Sequence, residues 1–259
     1  MELVLSPQRK QSQKFEKTHS GFDLRERIVK LGGMLGIPIH VIDFEGSRRS
    51  GIVEYGVVTL EGASITAART RLCAPIGAMQ AREIQQHGIG EKLLAGAKPF
   101  SEDWDYFAGL RATGPLCAHN AGYEAALLTD VWACPRRSPD FARPDSDAGI
   151  ADWGPWLDTL QLYRRLYPDL ERHNLGDLIG IFDLSQSLES FAAKYCPENR
   201  RRYHSALYDA LASACLLLHL FKEPALKEIS LAWLLQQSAP SGAAREALSQ
   251  TEFPDDAGC

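Results

Sequence analysis

The sequence predicts an α/β domain whose mixed, five-stranded sheet carries helices on both faces. Two observations lead there. Three strand-like runs come first after residue 36, the second and third patterned as a hairpin. Two shorter apolar runs then follow, each leading straight into a helical pattern, as parallel strands with helical connections do.

Taken in order, residues 1–36 read as a leader. Asp23 and Glu26 have capping-box spacing, and Leu24, Ile28, Leu31 and Leu35 recur at helical intervals, with Gly32-Gly33 as a stop. A short amphipathic helix packed on the core is expected there. A domain over 37–222 follows, then a C-terminal helix and loose tail over 223–259. Strands are expected at 38–45, 52–60 and 63–72, the last two joined by a turn at Glu61-Gly62. Helical patterns occupy 79–86 and 101–112. "PLCAHN" (115–120) is a strand that leads into a helix over 121–132. Pro135, Pro139 and Pro144 mark 134–154 as a long loop, of a length that is functional or disordered elsewhere. A strand at 155–158 precedes helices at 159–167, 174–181, 187–195 and 205–221. Beyond about 236 the composition turns to Ser, Ala, Gly, Pro and acids, the makeup of a loosely attached tail.

Composition narrows the class. The chain has 259 residues, 45% hydrophobic and 24% charged, enough for one sizeable core. The longest apolar run, "ALASACLLLHLF", falls short of the roughly 20 residues that span a bilayer. The first residues lack the apolar centre of a signal peptide, so no membrane association is expected and the location reads as cytoplasmic. The six cysteines form no C-x-x-C pair, which argues against a zinc ribbon. A net charge of −5 argues against a surface built to coat duplex DNA, though local basic clusters exist.

The chemistry starts at "HVIDFEGS", residues 40–47. Side chains alternate along a strand, so Asp43 and Glu45 share one face, about 6.6 Å apart along it. Either the strand has reached solvent, or two buried like charges need compensation. A pair of divalent cations would supply it, and such ions clamp a phosphodiester between them. A further acid comes from "HSALYDALASACLLLHLF": Ser205 can cap that helix, which puts Asp209 in its first turn. His204 then sits on the approach loop, free to accept a proton. The bland alternative is an exposed histidine and a favourable helix-start acid.

Three stretches together, "VIDFEGS", "AHNAGYEAALL" and "HSALYDA", resemble the three motifs of the DnaQ-like 3′→5′ exonucleases, the histidine-bearing DEDD class. "IVEYGVV", "IQQHGIGEKLLAGAKPFSEDWDYFAGL" and "WLDTLQLYRRLYPDL" resemble the intervening segments, so the likeness runs in order from about 38 to 221. The resemblance implies a ribonuclease-H-like sheet and two divalent ions, Mg²⁺ or Mn²⁺. It also implies stepwise release of nucleoside 5′-monophosphates from single-stranded DNA or RNA 3′ ends. Carried over by position, Asp43, Glu45 and Asp209 hold metal and His204 is the general base. The backbone around Phe44, Gly46 and Ser47 receives the terminal nucleotide. His87, His119 and Asn120 either orient the motif turns or touch that nucleotide.

One position departs from the pattern. The second motif ends in aspartate in that family, and here Glu124 stands there, one methylene longer. It is expected to fill the fourth acidic position, directly or through water, with an altered metal preference or rate. Asp158 is expected to cap the helix at 159 rather than to touch metal. Arg48 and Arg49 follow the first motif, and Arg200, Arg201 and Arg202 precede His204. These clusters are expected to track the phosphates of the scissile strand. Two alternatives stay open: a non-catalytic nucleic-acid-binding or adaptor module, and a small-nucleotide phosphodiesterase. The leader or tail is a candidate dock for a protein partner.

Overall fold

The three N-terminal strands are β1 (Ile39–Ser47), β2 (Gly51–Glu61) and β3 (Ser64–Leu72), and β2 pairs antiparallel with both of the others. Two short strands, β4 (Leu116–Ala118) and β5 (Leu157–Asp158), add in parallel on the other side of β1, giving the order β3-β2-β1-β4-β5. This computed structural model describes residues 36–143, 149–226 and 229–249. The leader helix expected within 1–36 and the end of the tail lie outside the described residues. The expected mixed sheet is present, with the hairpin and the two parallel additions where the sequence puts them.

Nine α-helices lie among the described residues: α1 (Ala81–His87), α2 (Trp104–Thr113), α3 (Ala121–Val131), α4 (Thr159–Leu166), α5 (Leu175–Ile181), α6 (Ser185–Tyr195), α7 (Ala206–Lys222), α8 (Leu231–Ser238) and α9 (Gly242–Ser249). The strand alternation divides them between two faces. On one face Ile39 and Val41 of β1 and Val58 and Leu60 of β2 join the large core built around α7. On the other, Ile42, Phe44, Tyr55 and Val57 pack with Phe107 of α2 and Leu127 and Leu128 of α3. Asp43 and Glu45 continue the Ile39–Val41 row, so they end up on the α7 face.

α7 is apolar nearly all round, which suits a helix enclosed on every side. The sheet covers one flank, and α4, α5 and α6 cover the others. Gly56 sets how closely its start approaches the sheet. A Cβ there would lie 2.3 Å from backbone atoms of Ala206 and Leu207, and Gly56 is the register partner of Asp43. A side chain at 56 would therefore push the first turn of α7 away from the acids of β1. α8 buries Leu231, Leu234 and Leu235 against α4 and β5.

The stretch expected as a long loop is tied down by side chains from the domain. Arg111 of α2 is fully buried and donates to Gly154 O at 2.8 and 3.3 Å and to Pro139 O at 3.0 Å. Ser138 pairs with Ile150 as an isolated bridge, and Trp153 is buried and donates to Trp132 O. Among the described residues no helix is long and apolar enough to cross a membrane.

Candidate active site

The site forms where β1 ends beside the first turn of α7. A cleft of about 330 Å³ opens there, lined by Asp43 to Ser47, by Gln80, Arg82, Glu83, Gln86 and His87 of the α1 wall, and by Tyr123, His204 and Asp209. That size is at the low end for small-molecule sites. Gly46 shapes its floor. A bulge separates Glu45 from Gly46, whose φ is 128°, and a Cβ there would lie 2.1 Å from Gly51 O. Only glycine fits that backbone. Tyr123 Oη donates to Gly46 O at 3.0 Å from the opposite wall.

The carboxylates crowd one another. Burial pushes Glu45 up to about 8, helped by Asp209, Glu54 and Glu124. Burial likewise pushes Glu124 up to about 8 and Asp209 to about 7. Asp43 is raised well above the ordinary carboxylate range, first by loss of solvent, then by Asp209, Glu124, Glu45 and Glu54. Two of the buried carboxylate oxygens, Glu124 Oε2 and Asp209 Oδ1, have no hydrogen-bond partner. Such orphans are rare in native interiors and mark a missing partner. A donor set dominated by carboxylate oxygens fits a hard divalent cation. The tightest cluster is Glu45, His204 and Asp209, whose ligand atoms lie within 4.8 Å of one another. Asp43 and Glu124 stand outside that cluster, and Glu124 does not line the cleft.

His204 is held in an uncommon backbone conformation, with φ 59°. Its N–H donates to Asp209 Oδ2 at 2.9 Å. Its carbonyl accepts from Arg200 Nη2 at 3.3 Å, and its ring Nδ1 lies 3.2 Å from the Gln86 amide nitrogen. If that amide is turned over, its oxygen accepts Nδ1–H and Nε2 keeps its lone pair. Only that arrangement leaves Nε2 able to accept a proton.

Several predicted contacts lie elsewhere. His119 uses both ring nitrogens internally, on Thr159 Oγ1 at 2.9 Å and His173 O at 3.0 Å, and burial holds it down at about 4. Asn120 adopts the left-handed backbone that starts α3 (φ 71°) and does not line the cleft. Ser47 lines the cleft, but its Oγ accepts from the N–H groups of Arg49 and Ser50 and so builds the turn. His87 is buried at the end of α1; its Nδ1 accepts from Ile89 N–H, which leaves Nε2 protonated and without a partner at the cleft.

One of the arginines requires a correction. Arg200 does not face a strand's phosphates: it is 8% exposed and forms a two-pronged ion pair with buried Glu54 of β2. Arg201 donates to Cys196 O and Ala193 O at the end of α6, and Arg202 lies against His87 O. Arg48 pairs with Asp130 on the surface, and Arg49 is exposed outside the cleft. The guanidinium that does line the cleft is Arg82, which the sequence reading passed over. Glu54, Gln86 and Tyr123 were also missed as participants. Glu54 carried a usable signal, a lone acid inside the apolar run "GIVEYGVV". Asp158 behaves as expected: it accepts from Leu160 N and Gln161 N of α4, and also from Asn120 N and Ala121 N.

Fold and acids together define a ribonuclease-H-like α/β domain with a carboxylate-lined cleft at the end of its first strand. No family profile matches the chain. Over 178 residues it is 26% identical to DNA polymerase III PolC-type of Bacillus subtilis (strain 168), a match covering 69% of this chain and 11% of that protein. It is 31% identical over 136 residues to the Streptococcus mutans protein of the same name, covering 52% of this chain and 8% of that one. The chain thus spans about a tenth of the length of these curated relatives. Exonuclease X in complex with 5′ overhanging duplex DNA shares the fold, with a TM-score of 0.51 and 21% identity over 76% of this chain and 99% of that one. The three motifs stand in order on this fold, and the likeness to these proteins covers most of the described domain.

Proposed function

We propose that the protein is a divalent-metal-dependent 3′→5′ exonuclease that removes nucleoside 5′-monophosphates from single-stranded DNA or RNA. The observation that carries this reading is the gathering of Asp43, Glu45, Glu124 and Asp209 with unsatisfied buried oxygens beside an accessible histidine. In this reading Asp43, Glu45, Asp209 and Glu124 hold two cations, Mg²⁺ or Mn²⁺. Those cations supply Lewis-acid polarisation of the terminal phosphodiester and neutralise the charge that develops on it.

The chain's own groups supply the rest. The floor at Phe44 to Ser47 seats the 3′-terminal nucleotide, and Gly46 lets β1 pass close to the Gly51 backbone there. His204 takes a proton from the attacking water as its oxygen bonds to phosphorus. The 3′ oxygen of the penultimate nucleotide leaves and gains a proton from solvent. Arg82, in the cleft wall, offers a cation to a substrate phosphate.

The test is incubation of the purified protein with labelled single-stranded DNA and RNA under Mg²⁺, Mn²⁺ or EDTA, beside Asp43→Ala. Metal-dependent laddering from the 3′ end, lost in the variant, is the expected result. The small cleft volume favours a second reading, a phosphodiesterase of single nucleotides. Cleavage of a mononucleotide ester with both polymers left intact would select it. Binding without any cleavage would select the adaptor reading, which Glu124 in place of aspartate favours.

A further inference from the structure

We propose that the buried Glu54–Arg200 pair is a positioning device for His204, and that Arg200 makes no contact with nucleic acid. The inference rests on the exonuclease reading, in which His204 is the base. Glu54 lies in the middle of β2, 3% exposed and directly opposite Glu45 in register. Both of its oxygens are taken. Oε1 accepts from Arg200 Nε at 3.1 Å, and Oε2 accepts from Arg200 Nη2 and from Ala206 N–H at 3.0 Å. The rest of the guanidinium reaches His87 O, at the end of the α1 wall, and His204 O. One fork therefore joins β2, the cleft wall and the loop that carries the histidine.

The geometry of His204 explains what the fork is for. A non-glycine residue at φ 59° persists only where its surroundings over-determine it. Here Arg200 holds the carbonyl and Asp209 holds the N–H, while Glu54 holds the N–H of Ala206, two residues on. Remove the fork and the turn between Arg200 and Ala206 can relax to ordinary backbone, carrying the imidazole with it. Buried ion pairs contribute little to stability that a well-packed apolar pair would not match. The additional hydrogen bonds of this pair all end at the cleft or at the start of α7.

Arg200→Lys separates the readings, because lysine keeps the charge but cannot span the same acceptors. Expected is a fall in kcat on the order of 10²-fold, the cost of misplacing a reacting group by about 1 Å. KM for a single-stranded oligonucleotide stays within about 3-fold, and the slope of log KM against log salt stays unchanged. Amide hydrogen exchange of the metal-free protein quickens over residues 202–206 and not in the middle of α7. An unchanged kcat overturns the proposal. So does a raised KM with a flattened salt slope, the mark of a phosphate contact. Exchange that rises equally along α7 overturns it too, since the pair would then serve the core. If Arg200→Lys does not fold, Glu54→Gln carries the same measurements, and failure of both to fold assigns the pair to the core. A wild-type protein that degrades no polymer rejects the exonuclease reading instead, and the exchange result alone then judges the positioning.

Discussion

The protein buries charge in two ways, and the contrast locates the site. Asp158, Glu54 and Arg111 are each at most 7% exposed, and the chain supplies their partners. Asp158 has four backbone N–H groups, Glu54 has a guanidinium and a backbone N–H, and Arg111 has two carbonyl groups. Glu45, Glu124 and Asp209 are 5–8% exposed, yet Glu124 and Asp209 each keep an oxygen with no partner. Their pKa values rise to about 8 and about 7, because burial and neighbouring acids disfavour the charged form. Evolution tolerates a saturated buried charge as structure. A group of hungry ones is tolerated for a partner that the chain does not encode.

The sharpest break in this contrast comes from removing one acid of the hungry set. Asp43→Asn is expected to lower metal-dependent cleavage on the order of 10³-fold or more. The same variant in EDTA should melt no earlier than wild type, since it removes a carboxyl whose ionisation burial and the neighbouring acids disfavour. A clear loss of Tm would mean that Asp43 holds the fold together, and the contrast would fail. Asp158→Ala should behave in the opposite way. It strips an N-cap and two further acceptor contacts, at a cost of about 2–4 kcal/mol of stability. Denaturant unfolding reads that cost directly. A loss below about 1 kcal/mol would show that water replaces the carboxylate easily.

How much of this was legible from sequence follows the same division. The strands and the acids Asp43, Glu45 and Asp209 could be read because alternation and helix-start position are local rules, whereas the order of the strands in the sheet could not. Asp158 was legible as a cap for the same reason, but its bonds to Asn120 N–H and Ala121 N–H were not, because they join segments 37–38 residues apart. Arg200 was misread outright. A run of three arginines looks like a solvated or phosphate-seeking patch, and nothing in it names Glu54, 146 residues earlier, as the partner that buries the first. Arg111 gave no sign of holding the loop, because its acceptors are backbone carbonyls that every sequence offers. Saturated charges are thus invisible where their partners are distant, while the cleft acids stood out because the pattern around them is local.

A third effect is smaller and has a definite sign. Glu45 and Glu124 titrate near 8 and Asp209 near 7 in the folded protein, far above their values in an unfolded chain. Between those limits the folded state holds protons that unfolding releases, so stability falls as pH rises. Buried His40 and His119, held down at about 4, act in the opposite sense below about 6.5. The window that isolates the acids is therefore about 6.5 to 8. In EDTA, Tm should drop across it by about 5 °C. With Mg²⁺ or Mn²⁺ the drop should vanish or reverse, because a cation binds the ionised acids. A flat Tm in EDTA would remove the electrostatic basis of the contrast.

The smallest effect tests the least ordinary member of the set. Glu124 is buried in the first turn of α3 with Oε2 unpartnered, and it raises Asp43 and Glu45 without lining the cleft itself. Glu124→Asp draws the carboxylate back toward α3 by roughly one C–C bond, about 1.5 Å. Stability should change by less than about 1 kcal/mol, since the chain leaves Glu124 Oε2 unpartnered. If Glu124 reaches a cation, that retreat alters the coordination distance, and Mg²⁺ tolerates such changes less well than a larger, less demanding ion. The ratio of Mg²⁺- to Mn²⁺-supported rates should then move by about 3- to 10-fold, read from initial rates on one oligonucleotide. An unchanged ratio would mean that the Glu124 carboxylate never touches the metal, and the hungry set would shrink to the three acids that line the cleft.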